Sequence, residues 1–380
     1  MPLDDLELTL FLTRGTPLRD WHNTGMFGRE LTLYRHLVER LRGVRMVSFG
    51  GPSERAFLPE LGAIRLECNR WRLPDRLYFR YLKYWRARSW KRPQIIKTNQ
   101  LPGAEIALPV ARHLGAPCIV RCGYLYSDFH ERHSGAESPQ ARMWVEREAA
   151  LFPQADALVF TTPTMRDMVL ARYAVRPERI HIIPNYVETD RFTPDPSTPP
   201  HSGHICTVAG LHPWKNLENL IRAVEGTSWT LDIAGIGPLQ THLSACAARC
   251  GGRVRLLGAV PNSQVPGLMR NAAVFVLPSL HEGHPKTLLE AMACGCAVVG
   301  TDVTGIRDCI RHRENGLLCG TDPDSLREAI ASLMDDAVLR QQLGVAARGT
   351  ILDEMSLERI LDLECALYER LSGMASSSDF

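Results

Sequence analysis

No apolar run in this chain approaches the roughly 18 residues a membrane-spanning helix needs, and the opening, Met1-Pro2-Leu3-Asp4-Asp5-Leu6-Glu7, is acidic and has no signal-peptide core. A helical membrane anchor is therefore not expected; the expectation is a cytoplasmic protein, with peripheral attachment to the cytoplasmic face of a membrane left open. The chain also lacks an excess of either charge. Its 44 Lys and Arg against 42 Asp and Glu leave a formal +2, so the global balance gives no reason to invoke nucleic acid. The eleven cysteines lack metal spacing: neither Cys246 and Cys250 nor Cys294 and Cys296 has a matching second pair, and no zinc is expected. Cys118, Cys206 and Cys294 fall in apolar runs, as small buried residues of a reducing compartment do. No internal repeat is visible.

What is present is a globular composition, 380 residues at 45% hydrophobic and 23% charged, long enough for two domains. Short apolar runs alternate with helix-period segments, the mark of parallel α/β sheets. Strands are expected at Leu8–Leu12, Val44–Ser48, Gln94–Lys97, Cys118–Arg121, Ala157–Thr161 and Ile180–Ile183. They are expected again at Ile205–Ala209, Leu231–Ala234, Arg253–Leu257, Ala273–Leu277 and Ala297–Gly300. Helices are expected at Arg29–Leu41, Gly103–Leu114, Gln140–Leu151 and Pro163–Tyr173. Between the two series lies Thr193-Pro194-Asp195-Pro196-Ser197-Thr198-Pro199-Pro200, too rich in proline for either element. The expected division is a first domain over 1–192, a linker over 193–202 and a second domain over 203–355. A terminal helix over 356–372 and a disordered tail over 373–380 complete it.

The most informative stretch runs from Pro278 to Gly300, P-S-L-H-E-G-H-P-K-T-L-L-E-A-M-A-C-G-C-A-V-V-G. The run Ala273–Leu277 reads as a buried parallel strand. Pro285 suits a first helical position, and Gly295 a left-handed stop. Glu282 then lies beyond a strand's carboxyl end, where open α/β sheets bind ligands. The first helical turn leaves amides near Thr287 and Leu288 for an anion. Glu290, one turn on from Thr287 and on the same face, suits the two hydroxyls of a ribose. The spacing fits a nucleoside diphosphate, with what the β-phosphate carries beside Glu282. It equally fits two carboxylates that simply favour the helix dipole.

The segment resembles the E-x7-E signature of retaining glycosyltransferases of the GT-B fold, glycosyltransferase family 4, down to Gly305 and Asn315-Gly316-Leu317-Leu318. Ala297 stands where the family often has proline. Similarity continues at lower density in His181-Ile182-Ile183-Pro184-Asn185-Tyr186-Val187 and in Leu231-Asp232-Ile233-Ala234-Gly235-Ile236-Gly237-Pro238. The resemblance implies two Rossmann-like doubly wound domains facing a cleft, the first for the acceptor and the second for a nucleotide-sugar donor, with a terminal helix crossing back. It implies a retaining hexosyltransferase that needs no metal or cofactor, acts on a glycan or polyprenyl-diphosphate-linked acceptor, and belongs to cell-surface polysaccharide biosynthesis. Glu282 corresponds to the carboxylate near the sugar and Glu290 to the ribose holder. Lys215 corresponds to the diphosphate cation, which offsets charge on the leaving group. Gly283 and His284 form the loop under the sugar, and Thr287, Leu288, Gly210 and Gly235 complete the donor side. The family usually has arginine where this chain has Gly210, and His212 or Arg307 is a candidate substitute.

The first domain is more individual. Gly25, Gly28 and Arg121 are the candidates on the acceptor or phosphate side, the glycines equally readable as turn residues. No histidine follows Cys118–Arg121, where some members have one, and His130 is a weak replacement. From Arg70 to Lys97 ten lysines and arginines stand against one acid, Asp75, interleaved with aromatic residues. Such a stretch reads as a surface for anionic lipid or as a helix burying its aromatics under solvated cations. Two other functions share these features: a nucleotide-sugar epimerase on the same fold and a non-catalytic polyanion binder.

Overall fold

Apolar runs bounded by turn residues become parallel strands in both halves of the chain. The computed structural model describes residues 2–90, 93–197 and 200–377, with no side chains for 374–377. These fall into two units, Met1–Ile183 with Leu361–Phe380, and Pro184–Ile360. In the first the strands are β1 (Glu7–Phe11), β2 (Gly43–Val47), β3 (Arg65–Glu67), β4 (Gln94–Thr98), β5 (Cys118–Cys122), β6 (Ala157–Phe160) and β7 (Ile180–Ile182). All pair in parallel in the order β3-β2-β1-β4-β5-β6-β7.

The second unit holds β8 (His201–Val208), β9 (Thr230–Ala234), β10 (Val254–Gly258), β11 (Ala272–Leu277), β12 (Ala297–Thr301) and β13 (Leu317–Cys319), in the order β10-β9-β8-β11-β12-β13. Each sheet thus reverses its winding once, between β1 and β4 and between β8 and β11. Those two points are where doubly wound sheets open a crevice at their carboxyl ends.

Alternation along the strands explains the burial. In β11, Val274 and Val276 pack with Ile205, Leu220 and Leu231 on one face of the sheet. Phe275 and Leu277 pack with Cys206, Leu288, Leu289 and Met292 on the other. Helices start where the sequence supplies caps. Ser138 accepts from Ala141 N–H at 3.1 Å and Thr162 from Met165 N–H at 3.2 Å, each followed by a proline in the first turn.

Two expectations about boundaries change. The chain divides at Ile183–Pro184 rather than at 193–202. Thr193 is tied down within the second unit, its carbonyl accepting from Arg270 at 3.4 Å, and 201–202 already belong to β8. The last helix spans Leu357–Ser377, so 373–377 are helical, while 378–380 lie outside the described residues. From Leu361 onward it groups with the first unit, where Asp362 accepts from Arg40 at 2.7 Å, Glu364 from Lys97, and Arg370 donates to His181. Strands β3 and β13 were not expected. Both are three-residue edge strands, too short to register as a run.

Candidate active site

Glu282 and Lys215 approach from the two strands that flank the second reversal of winding. Beyond β8 the chain makes a tight loop and a short 3₁₀ turn, Pro213–Lys215. Asn216 follows at φ 55°, a left-handed conformation that asparagine tolerates. Its side-chain amide donates to Pro278 O at 3.0 Å and Thr321 O at 2.8 Å, which ties the β8 loop to the end of β11. Lys215 Nζ donates to Glu282 Oε1, which also accepts from Ser279 Oγ at 2.6 Å. The two side chains are 19% and 11% exposed. The two residues expected on the phosphate and on the sugar therefore neutralise one another.

Neighbouring loops hold Glu282 in place. Its N–H donates to Thr304 O at 3.2 Å, and Thr301 Oγ1 donates to Ser279 O. Gly305, at φ +82°, lies so close that a Cβ would stand 2.4 Å from the carbonyl oxygens of Glu282 and Gly283. Only glycine lets that loop approach. The same holds at Gly235, where a Cβ would lie 1.9 Å from Ala209 O. Gly235 thus lets its loop seat against the β8 loop, where Leu211 N–H donates to Ile236 O at 3.0 Å.

The helix after the loop spans Lys286–Ala293, with Pro285 as its N-cap rather than its first residue. Leu288 and Leu289 N–H both turn to Pro285 O, at 3.1 and 3.3 Å. Of the two amides expected to await an anion, Leu288's is thus engaged by the protein. Glu290 is 4% exposed and lies deep in the unit. His284 is also buried, 7% exposed. Its Nδ1 accepts from Asn185 N–H at 3.1 Å and its carbonyl from Asn185 Nδ2 at 2.8 Å. An accepting Nδ1 puts the proton on Nε2, so only Nε2 can donate.

Comparison with known proteins follows this geometry. A family model described as Glycosyl transferases group 1 matches residues 190–350, and one described as Glycosyltransferase Family 4 matches 31–191. The alpha-maltose-1-phosphate synthase of Mycolicibacterium smegmatis is 28% identical over 264 residues, 61% of this chain and 67% of that protein. The D-inositol 3-phosphate glycosyltransferase of Salinispora arenicola is 28% identical over 266 residues, 62% of this chain; the match spans 59% of that protein, less than two thirds of its length. The crystal structure of Anabaena HepE in complex with UDP and glucose superposes with a TM-score of 0.75 at 16% identity, over 96% of this chain and 99% of that one. The sucrose-phosphate synthase of Thermosynechococcus elongatus does so with 0.77 at 18%, over 97% and 100%. The chain belongs to the GT-B glycosyltransferases of the family 4, group 1 type.

Within this glycosyltransferase Gly210, where the resemblance led to an expectation of arginine, sits close under a histidine ring. A Cβ on Gly210 would meet the His212 ring at 3.0 Å. That ring stacks on Trp214, 4.4 Å between centroids and 10° between planes. Burial and then the nearby Lys215 charge hold His212 below the ordinary histidine value, so at neutral pH it is an uncharged donor and acceptor. Arg307, the other candidate substitute, is 62% exposed and bound to Asp302, with its Nε 2.6 Å from the carboxylate. The chain's D-x-D triplet, Asp322-Pro323-Asp324, is a helix start: Asp322 Oδ1 accepts from Ser325 N–H at 2.9 Å. Ser279, inside the Pro278–Gly300 stretch, and Asn216, next to Lys215, were not singled out as site residues. An asparagine just before a helix and a serine just after a buried strand were the available signals.

In the first unit the candidates do not assemble into a comparable cluster. Gly25, at φ +69°, ends the Leu18–Asn23 helix as a turn glycine, with Met26 N–H returning to Trp21 O at 2.8 Å. Gly28 is inside the Phe27–Arg40 helix, and apart from its own helix backbone and chain neighbours nothing lies within 4 Å of where its Cβ would be. Arg121 is the penultimate residue of β5, its Nη1 donating to Asn99 O at 3.2 Å beside the first reversal point. His130 stacks 6.2 Å from Trp144 and is lowered by burial.

The basic stretch divides. Lys97 is fully buried, not a surface cation, because it sits inside the sheet on β4. Arg86 pairs with Glu67 at 2.5 Å, and Asp75 with Arg14 at 2.6 Å. Lys91 and Arg92 lie outside the described residues. Tyr78 and Trp90 pack inward, whereas Trp71, Leu77, Tyr84 and Trp85 are exposed, Trp85 by 76%. No helix among the described residues is long and apolar enough to cross a membrane.

Proposed function

We propose that this glycosyltransferase moves a sugar from a nucleoside-diphosphate donor to a glycan or lipid-linked acceptor, with retention of anomeric configuration and without a metal, in building a cell-surface polysaccharide. The observation that carries the reading is the meeting of Lys215 and Glu282 at the switch point of the second sheet. The Anabaena protein was crystallised in complex with UDP and glucose, which supports a nucleotide-sugar donor here.

The chemistry then follows from the groups present. Breaking the bond from the anomeric carbon to the diphosphate sends its electron pair to the β-phosphate oxygen. Lys215 Nζ, exchanging Glu282 for the diphosphate as the donor binds, and Thr287 N–H meet that charge. As Lys215 turns to the phosphate, Ser279 Oγ keeps Glu282 Oε1 in position, and the freed carboxylate accepts from sugar hydroxyls while the ring gains positive character. The acceptor oxygen bonds to the anomeric carbon from the face the phosphate leaves, and its proton passes to that phosphate. Glu290 takes the ribose hydroxyls. His212 and the Nε2 of His284 supply the remaining donors, His212 in place of the arginine.

Sugar transfer from a panel of nucleotide sugars, with the product configuration read by NMR, tests this. Glu282→Ala and Lys215→Ala should lose transfer and keep the fold. An inverted product, or donor turnover with no acceptor present, would sink the reading; the latter is what an epimerase gives. The exposed Trp71, Leu77, Tyr84 and Trp85 among Arg72, Arg76, Arg80 and Arg88 make this face of the first unit a surface for anionic lipid. It should co-sediment with anionic but not neutral liposomes, and equal pelleting with both would count against it.

A further inference from the structure

Helix Leu217–Val224 follows the Lys215 loop, and helix Gln240–Ala248 follows the Gly235 loop. Among the described residues one group of His, Cys and carboxylate side chains brings three potential metal-ligand atoms within 4.8 Å of one another, and it lies between these two helices: Glu218, His242 and Cys246. His242 and Cys246 are four residues apart and so share a helix face. Glu218 Oε2 lies 2.8 Å from His242 Nε2, and Cys246 Sγ lies 3.9 Å from the same nitrogen. We propose that Glu218, His242 and Cys246 bind one borderline-soft divalent cation of the zinc type, which staples the two helices together.

The donor set is what such an ion selects: a thiolate, an imidazole and a carboxylate, with a fourth position open to water. A tetrahedral zinc with its usual bond lengths separates its ligands by roughly 3.4–3.6 Å, so the observed 2.8 and 3.9 Å need only small side-chain rotations. The carboxylate is already aimed. Arg222 Nη2 holds Glu218 Oε1 at 2.5 Å and leaves Oε2 facing the imidazole, the outer support that metal ligands typically have. Cys246 is 3% exposed while the His242 side chain is 53% exposed, so the thiol forms the floor of the site and the imidazole its mouth. Binding releases the thiol proton to solvent. Cysteine-pair spacing does not register such a site, because one ligand comes from another helix and only one is a thiol.

The test titrates the full chain, stripped with a chelator, with zinc in competition with a chromophoric chelator, and with cobalt(II) as a spectroscopic probe. One equivalent should bind, cobalt should give a thiolate charge-transfer band, and zinc should raise the melting temperature. Cys246→Ser should abolish the band, and His242→Ala and Glu218→Gln should each weaken zinc binding at least tenfold. Zinc stoichiometry and affinity unchanged in His242→Ala and Glu218→Gln would overturn the proposal, as would failure of the wild-type chain to compete with the chelator. If Cys246→Ser does not fold, those two variants on exposed or half-exposed positions decide the matter alone.

Discussion

Two lysine–glutamate pairs near strand ends, one in each unit, differ in one respect. In the first unit Lys97, on β4, meets Glu364 of the last helix, with side chains 0% and 1% exposed and the Tyr368 ring 5.8 Å from the ammonium. In the second, Lys215 meets Glu282 beyond the ends of β8 and β11 with 19% and 11% exposed. The closed pair has no room for a competing anion, and burial pulls the Lys97 pKa down even with a carboxylate beside it. It fastens the last helix to the first sheet. The second stands where the sheet's reversal opens its carboxyl edge, and there a lysine can exchange one anionic partner for another. The chemistry of the pair is shared; access to it assigns the role.

Breaking the closed pair should have the largest effect on stability. Lys97→Met leaves a buried carboxylate unpaired and should cost about 3–5 kcal/mol, read by denaturant unfolding. Lys215→Ala should cost less stability than that and lower sugar transfer by about 10²–10³-fold, as loss of one preorganised donor does. Equal stability losses in the two variants would erase the distinction. His212→Ala should raise the donor KM by about tenfold, the worth of one hydrogen bond to a charged group, with a smaller change in kcat. The smallest effect concerns another of the first unit's contacts with the last helix, Arg370 on His181. Burial, then the Arg370 charge, pulls His181 down to about 4, while the unfolded chain takes up that proton near 6.5. The unfolded state therefore binds more protons between these values. The contribution is complete above about pH 6.5 and is lost as pH falls towards 4. His181→Gln should flatten that part of the stability profile.

The centre of each sheet was legible in the sequence, and so was one edge of each, β7 and β10; the three-residue edges β3 and β13 were not. β11 and β12 are buried on both faces and show as unbroken apolar runs. β3 is Arg65-Leu66-Glu67, and its identity as a strand comes from pairing with β2. In the site, the strand–loop–helix pattern and the resemblance together placed Glu282 and Lys215 on the two loops that converge. Their mutual ion pair was not legible, since nothing in either segment names the other. Lys97 shows the same limit more sharply: read locally it joins a basic run, but its partner lies 267 residues away. Gly235 was placed beside the donor on its motif alone. Its closest demand is the Ala209 carbonyl, a requirement visible only once two loops are stacked.

The most direct measurement is the shift in melting temperature that a panel of nucleoside diphosphates gives to the wild-type chain and to Lys215→Ala. A ligand at a hundred times its dissociation constant adds about 2.7 kcal/mol. At least one diphosphate should therefore raise the wild-type melting temperature clearly and the Lys215→Ala chain much less, with Lys97→Met keeping its full shift from a lower starting point. A panel with no wild-type shift, or an equal shift in Lys215→Ala, would contradict a diphosphate site at the second sheet's switch point.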